Sequence, residues 1–343
     1  MEKEKKENKI IKGRRPQFII FTDKDGTINL EDKQLGMILN LARTMEGIVI
    51  PVTGRTVGDI KSEFEAKKLP VPQIIVGDNG ANIYSTENDE FLLRSPLNAE
   101  SVHKLVSRFI ELGGKPELIR YTNGETIFTS DDKKVLAYYK KSTVSYACDN
   151  IVKAVLTEKD ITKITLAGNL DIMKAINEYA KRLDFWTDMD TTKFPTIAEN
   201  NYRLDVAGRN INKGKAVKMI ANAIQPQYGY MCIGNGYNDL SMFRQAIMDG
   251  MTAAVMGDAD PGLIAELELL EKYHTGKLVV VPAKQERANK LIYRSIKIVQ
   301  QRLKEEQIDH LKEKRHLDDI KVKPQVLAPK RGRRREAYGE LEL

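Results

Sequence analysis

The sequence is poor in cysteine and histidine and contains no long apolar run. Only two of its 343 residues are cysteines, Cys148 and Cys232, and they stand far apart without CxxC spacing. This spacing predicts the reduced thiols of a cytosolic protein rather than a disulfide framework. The four histidines are scattered without metal-ligand spacing. No stretch approaches the ~18 apolar residues of a membrane span, and no hydrophobic region follows the charged start. We therefore expect a cytoplasmic protein that has neither a secretory signal nor a membrane span.

The charge is distributed unevenly along the chain. The 55 basic and 48 acidic residues give a formal net charge of +7. Residues 1–16 carry +4 and residues 283–343 carry +7, which leaves −4 for residues 17–282. A basic folded body would point to nucleic acid. Here the basic charge belongs to the two ends, so it bears on tethering and partners rather than on the reaction.

The body of the chain alternates short apolar runs with helical patterns. The run Phe18–Phe21 is too short for a helix and rich in aromatic and β-branched residues, which indicates a buried strand. The strand–helix alternation continues to Gly77, changes near residue 88 to mixed segments rich in Tyr, Thr and Ser, and resumes with Tyr202–Val206. This pattern predicts an α/β fold: a doubly wound, Rossmann-like parallel sheet interrupted by an inserted α+β unit.

These changes in the sequence pattern define the expected domain boundaries. Near the end of the chain, Ile292, Ile296, Val299 and Leu303 are spaced as one face of a helix. The expected segments are a basic N-terminal arm (1–16), a doubly wound core (17–87 and 199–282), an inserted unit (88–198), an amphipathic basic helix (283–320) and a disordered basic tail (321–343).

Four polar motifs follow predicted strands or open predicted helices, where the functional residues of open α/β sheets cluster. The first contains Asp23 and Asp25, two residues apart, before Gly26 and Thr27. A carboxylate is a competent nucleophile at phosphorus. A second carboxyl group can protonate a leaving oxygen and then deprotonate a water molecule. An ordinary Asx turn is the alternative interpretation.

The other three motifs also favour phosphate chemistry. Thr53, Gly54 and Arg55 offer a hydroxyl group and backbone amides that can hold a phosphate, although the threonine could instead be a plain N-cap. Lys213 opens a helix against the helix dipole, which calls for an anionic partner unless the side chain is solvated. The segment Gly234–Asp239 offers carboxylate and amide oxygens to a hard cation, or forms a turn with a helix cap.

Taken together, the four motifs resemble those of the haloacid dehalogenase superfamily of phosphohydrolases. The inserted unit, with the segments Val76–Ala81 and Ala254–Ala259, is similar to the Cof-type, sucrose-phosphate-phosphatase-like branch (subfamily IIB) with its α/β cap. The resemblance covers residues 17–282. It implies a Mg²⁺-dependent phosphoric monoester hydrolase that forms an aspartyl-phosphate and selects its substrate through the cap.

The resemblance also implies a role for each motif residue. Asp23 would be the nucleophile and a Mg²⁺ ligand. Asp25 would be the general acid/base and lend its backbone carbonyl to the metal. Thr53 and Lys213 would bind the transferring phosphoryl group and neutralise its charge. The remaining roles are phosphate or substrate binding by Gly54, Arg55 and Asn238, with Arg55 at the cap interface, and metal binding by Asn235 and Asp239.

One position departs from the family pattern, because Asn235 stands where the family usually has a metal-binding aspartate. An amide oxygen can bind Mg²⁺ but brings no charge, so the affinity for the ion should fall. Three outcomes are open: Asp239 takes over, the metal binds weakly, or turnover is lost.

The leading hypothesis is a phosphatase for a small, sugar-phosphate-like metabolite. One alternative is a phosphatase that acts on nucleic-acid- or protein-linked phosphate recruited by the basic tail. The other is a catalytically weakened ligand-binding or scaffold protein whose tail binds a polyanion or a protein partner. The sequence leaves the substrate, the role of the tail and the oligomeric state open.

Overall fold

The computed structural model describes residues 15–121, 126–128, 145–147, 151–157, 160–190 and 202–321. Most of the predicted arm and tail, and Cys148, lie outside these residues. The chain divides into two units, with the boundary between Val299 and Gln300.

The described segments contain both strands and helices. The strands are β1 (Ile19–Thr22), β2 (Ile48–Pro51), β3 (Ile74–Gly77), β4 (Asn82–Ser85), β5 (Glu90–Arg94), β6 (Lys115–Tyr121), β7 (Thr126–Phe128), β8 (Ser145–Ala147), β9 (Ile161–Gly168), β10 (Phe185–Asp190), β11 (Tyr202–Gly208), β12 (Tyr230–Gly234), β13 (Thr252–Met256) and β14 (Lys277–Val281). The α-helices are α1 (Leu35–Thr44), α2 (Val57–Ala66), α3 (Ala99–Glu111), α4 (Ile151–Thr157), α5 (Leu170–Arg182), α6 (Lys213–Ile224), α7 (Leu240–Met248), α8 (Pro261–Glu271) and α9 (Gln285–Lys321). Two short 3₁₀ turns cover Asp78–Gly80 and Tyr237–Asp239.

A parallel five-stranded sheet forms the centre of the first unit. Its strand order is β14-β13-β12-β1-β2, and every neighbouring pair is parallel. Successive residues of β1 face opposite sides, as the period of two requires. Ile19 and Phe21 pack against α6, α7 and α8, whereas Ile20 packs against α1, α2 and α9. The predicted doubly wound sheet between two layers of helices is confirmed.

The run that ends at Gly77, expected as the next parallel strand, pairs differently. It forms β3 of an antiparallel three-stranded sheet with β4 and β5, and a single parallel bridge between Val52 and Val76 connects it to the end of β2. The reason is the turn Asp78–Gly80, whose residues all have positive φ. This backbone reverses the chain within three residues, so β4 returns beside β3.

A six-stranded sheet has the order β10-β11-β9-β6-β7-β8 and is antiparallel apart from the β7–β8 pair. Helices α3, α4 and α5 pack on one of its faces. The strand that begins at Tyr202 belongs to this sheet, not to the parallel sheet where we expected it. Its residues alternate: Leu204 and Val206 are buried in the core of this sheet, while Asp205 between them pairs with Lys163. Such alternation is typical of an antiparallel strand.

The division of the chain into a catalytic core and an inserted cap stays a prediction. The strand pairing favours boundaries after Arg94 and Gly208 rather than at residues 87 and 199, because β5 pairs with β4 and β11 pairs with β9 and β10.

Helix α9 buries the apolar face that its sequence predicts. Ala288, Ile292 and Ile296 lie in the same hydrophobic layer as α1 and α2, and Val299 packs against that layer. In the second unit, Gln300–Lys321 is helical and its residues Ile308 and Leu311 are exposed. Among the described helices, none combines the length and apolar character needed to cross a membrane.

Candidate active site

Three of the four motifs lie at the carboxyl ends of adjacent parallel strands. Asp23 follows β1, the segment 53–55 follows β2, and the loop 235–239 follows β12. Strand β1 lies between the other two strands, and the Asp23 amide donates a 2.7 Å hydrogen bond to the carbonyl of Ile233 at the end of β12. The chain therefore brings these polar segments to one edge of the sheet.

The fourth motif joins them through Lys213, the first residue of α6. Its ammonium donates hydrogen bonds to Asp23 Oδ1 (2.5 Å) and to Asp239 Oδ1 (2.6 Å). All three side chains are buried, and that of Lys213 is entirely inaccessible to solvent. The alternative of a solvated lysine is therefore wrong: Lys213 finds the anionic partners that its position on the helix requires.

Burial and the charge of the neighbouring partner have opposite effects on the pKa values of Asp23 and Lys213. Burial raises the pKa of the Asp23 carboxyl group to about 7, against the effect of the Lys213 ammonium and with a further rise from the Asp239 and Asp25 carboxylates. Burial alone would lower the pKa of Lys213, but the two carboxylates outweigh it and raise the pKa above its ordinary value. Lys213 therefore stays charged, while Asp23 exchanges its proton near neutral pH.

Asp239 closes the loop that follows β12. Its Oδ2 accepts hydrogen bonds from the amides of Asn235 (2.9 Å) and Gly236 (3.0 Å), while its Oδ1 accepts from Lys213. A Cβ atom at position 234 would lie 2.4 Å from Asp239 Oδ2, so only glycine fits there. Asp239 thus orients Lys213, and both of its carboxylate oxygens are engaged. Its predicted role as a metal ligand stays a prediction.

The chemistry of the predicted metal ligands fits a hard cation, although the set carries little charge. The Asn235 side chain packs against Gly26, where a Cβ atom would lie 2.1 Å from Asn235 Nδ2. The predicted donors are the Asp23 carboxylate, the Asp25 backbone carbonyl and the Asn235 amide, which are ligand types that Mg²⁺ accepts. In the described part of the chain, no three His, Cys, Asp or Glu residues converge as ligands. The predicted metal set therefore stays a prediction.

The segment 53–55 is anchored as a loop rather than as a helix cap. Thr53 is buried, its amide donates to the carbonyl of Val76 (3.0 Å), and its hydroxyl oxygen accepts from the amide of Arg55 (3.2 Å). The N-cap of α2 is Thr56, whose hydroxyl oxygen accepts from the amide of Asp59 (3.1 Å). The alternative reading of Thr53 as a plain N-cap is therefore wrong. Its predicted contact with a phosphate is untested by these contacts.

Asp25 lies at the outside of the site in a network of four charges. Lys24 Nζ lies 2.8 Å from Asp25 Oδ1 and 2.8 Å from Glu63 Oε1. Arg55 Nη1 lies 2.6 Å from Glu63 Oε2 and 3.7 Å from Asp25 Oδ1. The Asp25 side chain is 58% exposed, against 7% for that of Asp23. The two carboxyl groups of the first motif thus occupy different environments, since one is buried and the other is exposed to solvent, and this difference suits two different roles.

Asn238 lies in the short 3₁₀ turn beside Asp239, with its Oδ1 over Gly236, where a Cβ atom would be 2.7 Å away. Its side chain is partly exposed. The predicted contact of Asn238 with the phosphate or with Lys213 stays a prediction.

The sequence reasoning missed three kinds of contact. Glu63, eight residues after Arg55, binds both Lys24 and Arg55. Ser241 accepts a hydrogen bond from the amide of Gly214 (3.0 Å) and holds α6 against α7. Asn79 reaches the segment 53–55 through its backbone amide, which donates to Thr53 O (2.9 Å). The helical spacing of Glu63 from Val57, Ile60 and Phe64 places it beside the buried face of α2, the one signal available in advance.

A sequence pattern of the haloacid dehalogenase-like hydrolases matches residues 20–275, three-quarters of the chain. The chain belongs to this family. The resemblance stated from the motifs is therefore confirmed, and so is the expectation of an enzyme of the hydrolase class. None of the curated proteins matches the sequence.

Several solved structures share the fold of this haloacid dehalogenase-like hydrolase. TM0651 from Thermotoga maritima is 17% identical, with 81% of this chain and 97% of that chain covered and a TM-score of 0.61. The subclass IIB sugar phosphatase BT4131 is 17% identical, with 81% and 99% covered and a TM-score of 0.61. A HAD/COF-like hydrolase from Plasmodium vivax is 15% identical, with 84% and 98% covered and a TM-score of 0.59.

Replacing Lys213 by methionine is expected to lower the free energy of unfolding by about 3–5 kcal/mol, because Asp23 and Asp239 would remain buried without their cation. Urea unfolding of the metal-free protein at pH 8 measures this cost. Lys218→Met changes an exposed lysine of the same helix and is the matched control, for which we expect little change. A cost no larger than that of the control would contradict the buried ion triad.

The raised pKa of Asp23 predicts that the metal-free protein loses stability as the pH rises from 3.8 to about 7. In this range the folded state keeps a proton on Asp23 that the unfolded chain has released, so a higher pH favours unfolding. Asp23→Asn stays uncharged and removes this contribution. Thermal unfolding in EDTA should therefore give a larger Tm advantage to Asp23→Asn at pH 8 than at pH 5.

The control for this comparison is Glu268→Gln, which neutralises an exposed carboxylate on α8. Its Tm difference from the wild-type protein should be the same at both pH values. An Asp23→Asn difference that is equally independent of pH would show that Asp23 does not have a raised pKa.

Proposed function

We propose that this hydrolase is a Mg²⁺-dependent phosphatase that hydrolyses a small, sugar-phosphate-like phosphomonoester through an aspartyl-phosphate. The observation that carries the proposal is the buried Lys213 ammonium between Asp23 and Asp239. Phosphoryl transfer requires mainly positioning and charge neutralisation. A buried carboxylate with a fixed ammonium beside it can approach an anionic phosphate that would repel an isolated carboxylate.

In the first half of the proposed reaction, a carboxylate oxygen of Asp23 attacks phosphorus. The bond from phosphorus to the alcohol oxygen breaks as the bond to Asp23 forms, and the Asp25 carboxyl group gives its proton to the departing alkoxide. The environments of the two side chains support these roles, because Asp23 is buried beside a cation while Asp25 is exposed to solvent.

In the second half, the Asp25 carboxylate removes a proton from a water molecule, which attacks phosphorus and releases inorganic phosphate from Asp23. Lys213 neutralises part of the charge on the phosphoryl oxygens in both halves. Thr53 and the amide of Gly54 would hydrogen-bond the phosphoryl group, and Arg55 would contact the substrate beside it. Asn238 would position the phosphate or Lys213.

Asp23, the Asp25 carbonyl, Asn235 and, if its hydrogen bonds rearrange, Asp239 would hold the Mg²⁺ ion. When bound, this ion supplies positive charge to the phosphoryl oxygens. The kind of substrate is proposed from a structural relative, because BT4131, which shares the fold, is described as a sugar phosphatase. A cytoplasmic location, a cap over the site and a partner for the basic tail remain predictions from the sequence.

The proposed activity is tested with a panel of sugar phosphates, nucleotides and phosphopeptides at millimolar Mg²⁺, measured by phosphate release. We expect turnover of at least one small phosphomonoester, and a loss of about 10³-fold or more in kcat for Asp23→Asn because the nucleophile is removed. Asp171→Asn makes the same chemical change at an exposed position and should retain full activity. Hydrolysis of no compound by the wild-type protein would contradict the proposal.

The neutral ligand at position 235 leads to a separate prediction about the metal. Asn235→Asp adds a charged oxygen beside Gly26, so the Kd for Mg²⁺ should fall about tenfold. Isothermal titration of the substrate-free protein measures this Kd without any need for turnover. Asn222→Asp, on α6, adds the same charge at an exposed position and should leave the Kd unchanged. An equal or weaker affinity in Asn235→Asp would mean that position 235 does not face the ion.

A further inference from the structure

Glu63, on α2, binds both of the cations that lie beside Asp25. Its Oε1 lies 2.8 Å from Lys24 Nζ, and its Oε2 lies 2.6 Å from Arg55 Nη1, so each carboxylate oxygen holds one cation. Lys24, Arg55 and Glu63 are all only partly exposed. Ion pairs that are partly buried are screened less than pairs on an open surface. Glu63 therefore fixes the positions of both cations.

Both cations lie on the same oxygen of Asp25. Lys24 Nζ is 2.8 Å from Asp25 Oδ1, and Arg55 Nη1 is 3.7 Å from that oxygen. Asp25 Oδ2 makes no hydrogen bond or ion pair with any described residue. More than half of the Asp25 side chain is exposed to solvent. The two oxygens of this carboxyl group therefore differ, because Oδ1 is held by a cation and Oδ2 has no partner.

Arg55 is close enough to Asp25 to compete for the second oxygen. At 3.7 Å, its Nη1 is beyond hydrogen-bond distance from Asp25, whereas at 2.6 Å it is bound to Glu63. A guanidinium group readily binds both oxygens of one carboxylate at once. Without the charge of Glu63, two cations would face the single carboxylate of Asp25. Arg55 would then turn to Asp25 and occupy Oδ2 as well as Oδ1.

We propose that Glu63 is a positioning residue for proton transfer, because it keeps Arg55 away from Asp25 and so leaves Asp25 Oδ2 free. This inference rests on the proposed phosphatase function, in which Asp25 is the general acid/base. In the first half of that reaction, the proton on Oδ2 passes to the oxygen that leaves phosphorus. In the second half, Oδ2 takes a proton from the attacking water molecule. Glu63 acts on both steps through Arg55 and Lys24.

The same geometry is compatible with the proposed contact between Arg55 and the substrate. Only Nη1 of Arg55 is engaged with Glu63, and its other guanidinium nitrogens make no hydrogen bond to any described residue. A network that merely stabilised α2 would affect the hydrolysis of every ester to the same extent. A positioning role affects most strongly the esters whose leaving group needs a proton.

The test therefore compares phenyl phosphate with 2,4-dinitrophenyl phosphate, using the full-length protein at saturating Mg²⁺. The two esters share a ring and a phosphoryl group, but dinitrophenolate leaves without a proton, whereas phenolate is a much stronger base. The value of kcat/KM covers only the steps up to release of the phenol, so it reports on the first half of the reaction. The readout is the ratio of kcat/KM for phenyl phosphate to kcat/KM for the dinitrophenyl ester.

Glu63→Gln keeps the shape of the side chain and removes its charge, and we expect it to lower this ratio about tenfold. General acids contribute about 10²–10⁴-fold to a rate, so Asp25→Asn should lower the ratio further. Adding Arg55→Ala to Glu63→Gln should restore the wild-type ratio, because the competitor for Oδ2 is then gone. Any weaker binding caused by the loss of Arg55 is common to both esters and cancels.

Glu65→Gln is the matched control, since it makes the same change at an exposed position of α2 and should retain the ratio. Circular dichroism establishes that each variant is folded. If Glu63→Gln is not, Glu63→Ala removes the same carboxylate and replaces it in the comparison.

The possible results separate this inference from the proposed function. If Glu63→Gln lowers kcat/KM equally for both esters, the role of Glu63 is structural and the inference is wrong. A ratio that stays low in the double variant also overturns it, because Arg55 is then not the competitor. If the ratio is unchanged in Asp25→Asn, Asp25 is not the general acid. If the wild-type protein hydrolyses no phosphomonoester, the phosphatase proposal itself fails, and this inference fails with it.

Discussion

The ammonium of Lys213, buried between two carboxylates, is the interaction on which the rest of the candidate site depends. Without it, Asp23 and Asp239 would be two like charges removed from water at the ends of neighbouring strands. With it, the end of β1, the start of α6 and the loop after β12 are held together across 190 residues of sequence. The Asp239 carboxylate that binds Lys213 also fills the space beside Gly234, so residue 234 cannot carry a side chain. The backbone conformation of the loop after β12 and the charge balance of the site therefore depend on the same Asp239 side chain.

Much of this arrangement could be predicted from the sequence, because parallel strands place the residues after their carboxyl ends at one edge. Once Asp23, Thr53 and Asp239 were assigned to the ends of apolar runs, their convergence followed from the topology. Lys213 could be included because a lysine in the first turn of a helix requires an anion. These arguments use short segments and a general rule of α/β sheets. They do not depend on knowing which side chains touch.

Other features could not be predicted because they depend on partners that are distant in sequence. The strand beginning at Tyr202 alternates apolar and polar residues, which is typical of an antiparallel strand, but its partners β9 and β10 can be identified only from the structure. The role of Glu63 depends on two cations from two different loops. That the side-chain oxygen of Asn79 has no hydrogen-bond partner depends on its surroundings in the fold and cannot be predicted from the neighbouring residues in the sequence. Sequence patterns indicate which groups are near the site, while their hydrogen bonding requires coordinates.

Helix α9 determines where this chain can be shortened. The family pattern ends at residue 275, before the helix begins, so the helix looks dispensable by alignment. Yet Ala288, Ile292 and Ile296 fill the same apolar layer as α1 and α2. A truncation at the end of β14 would expose this apolar layer to solvent and give a product that folds poorly and aggregates. The smallest well-behaved fragment should therefore extend to Val299, the last residue of the first unit.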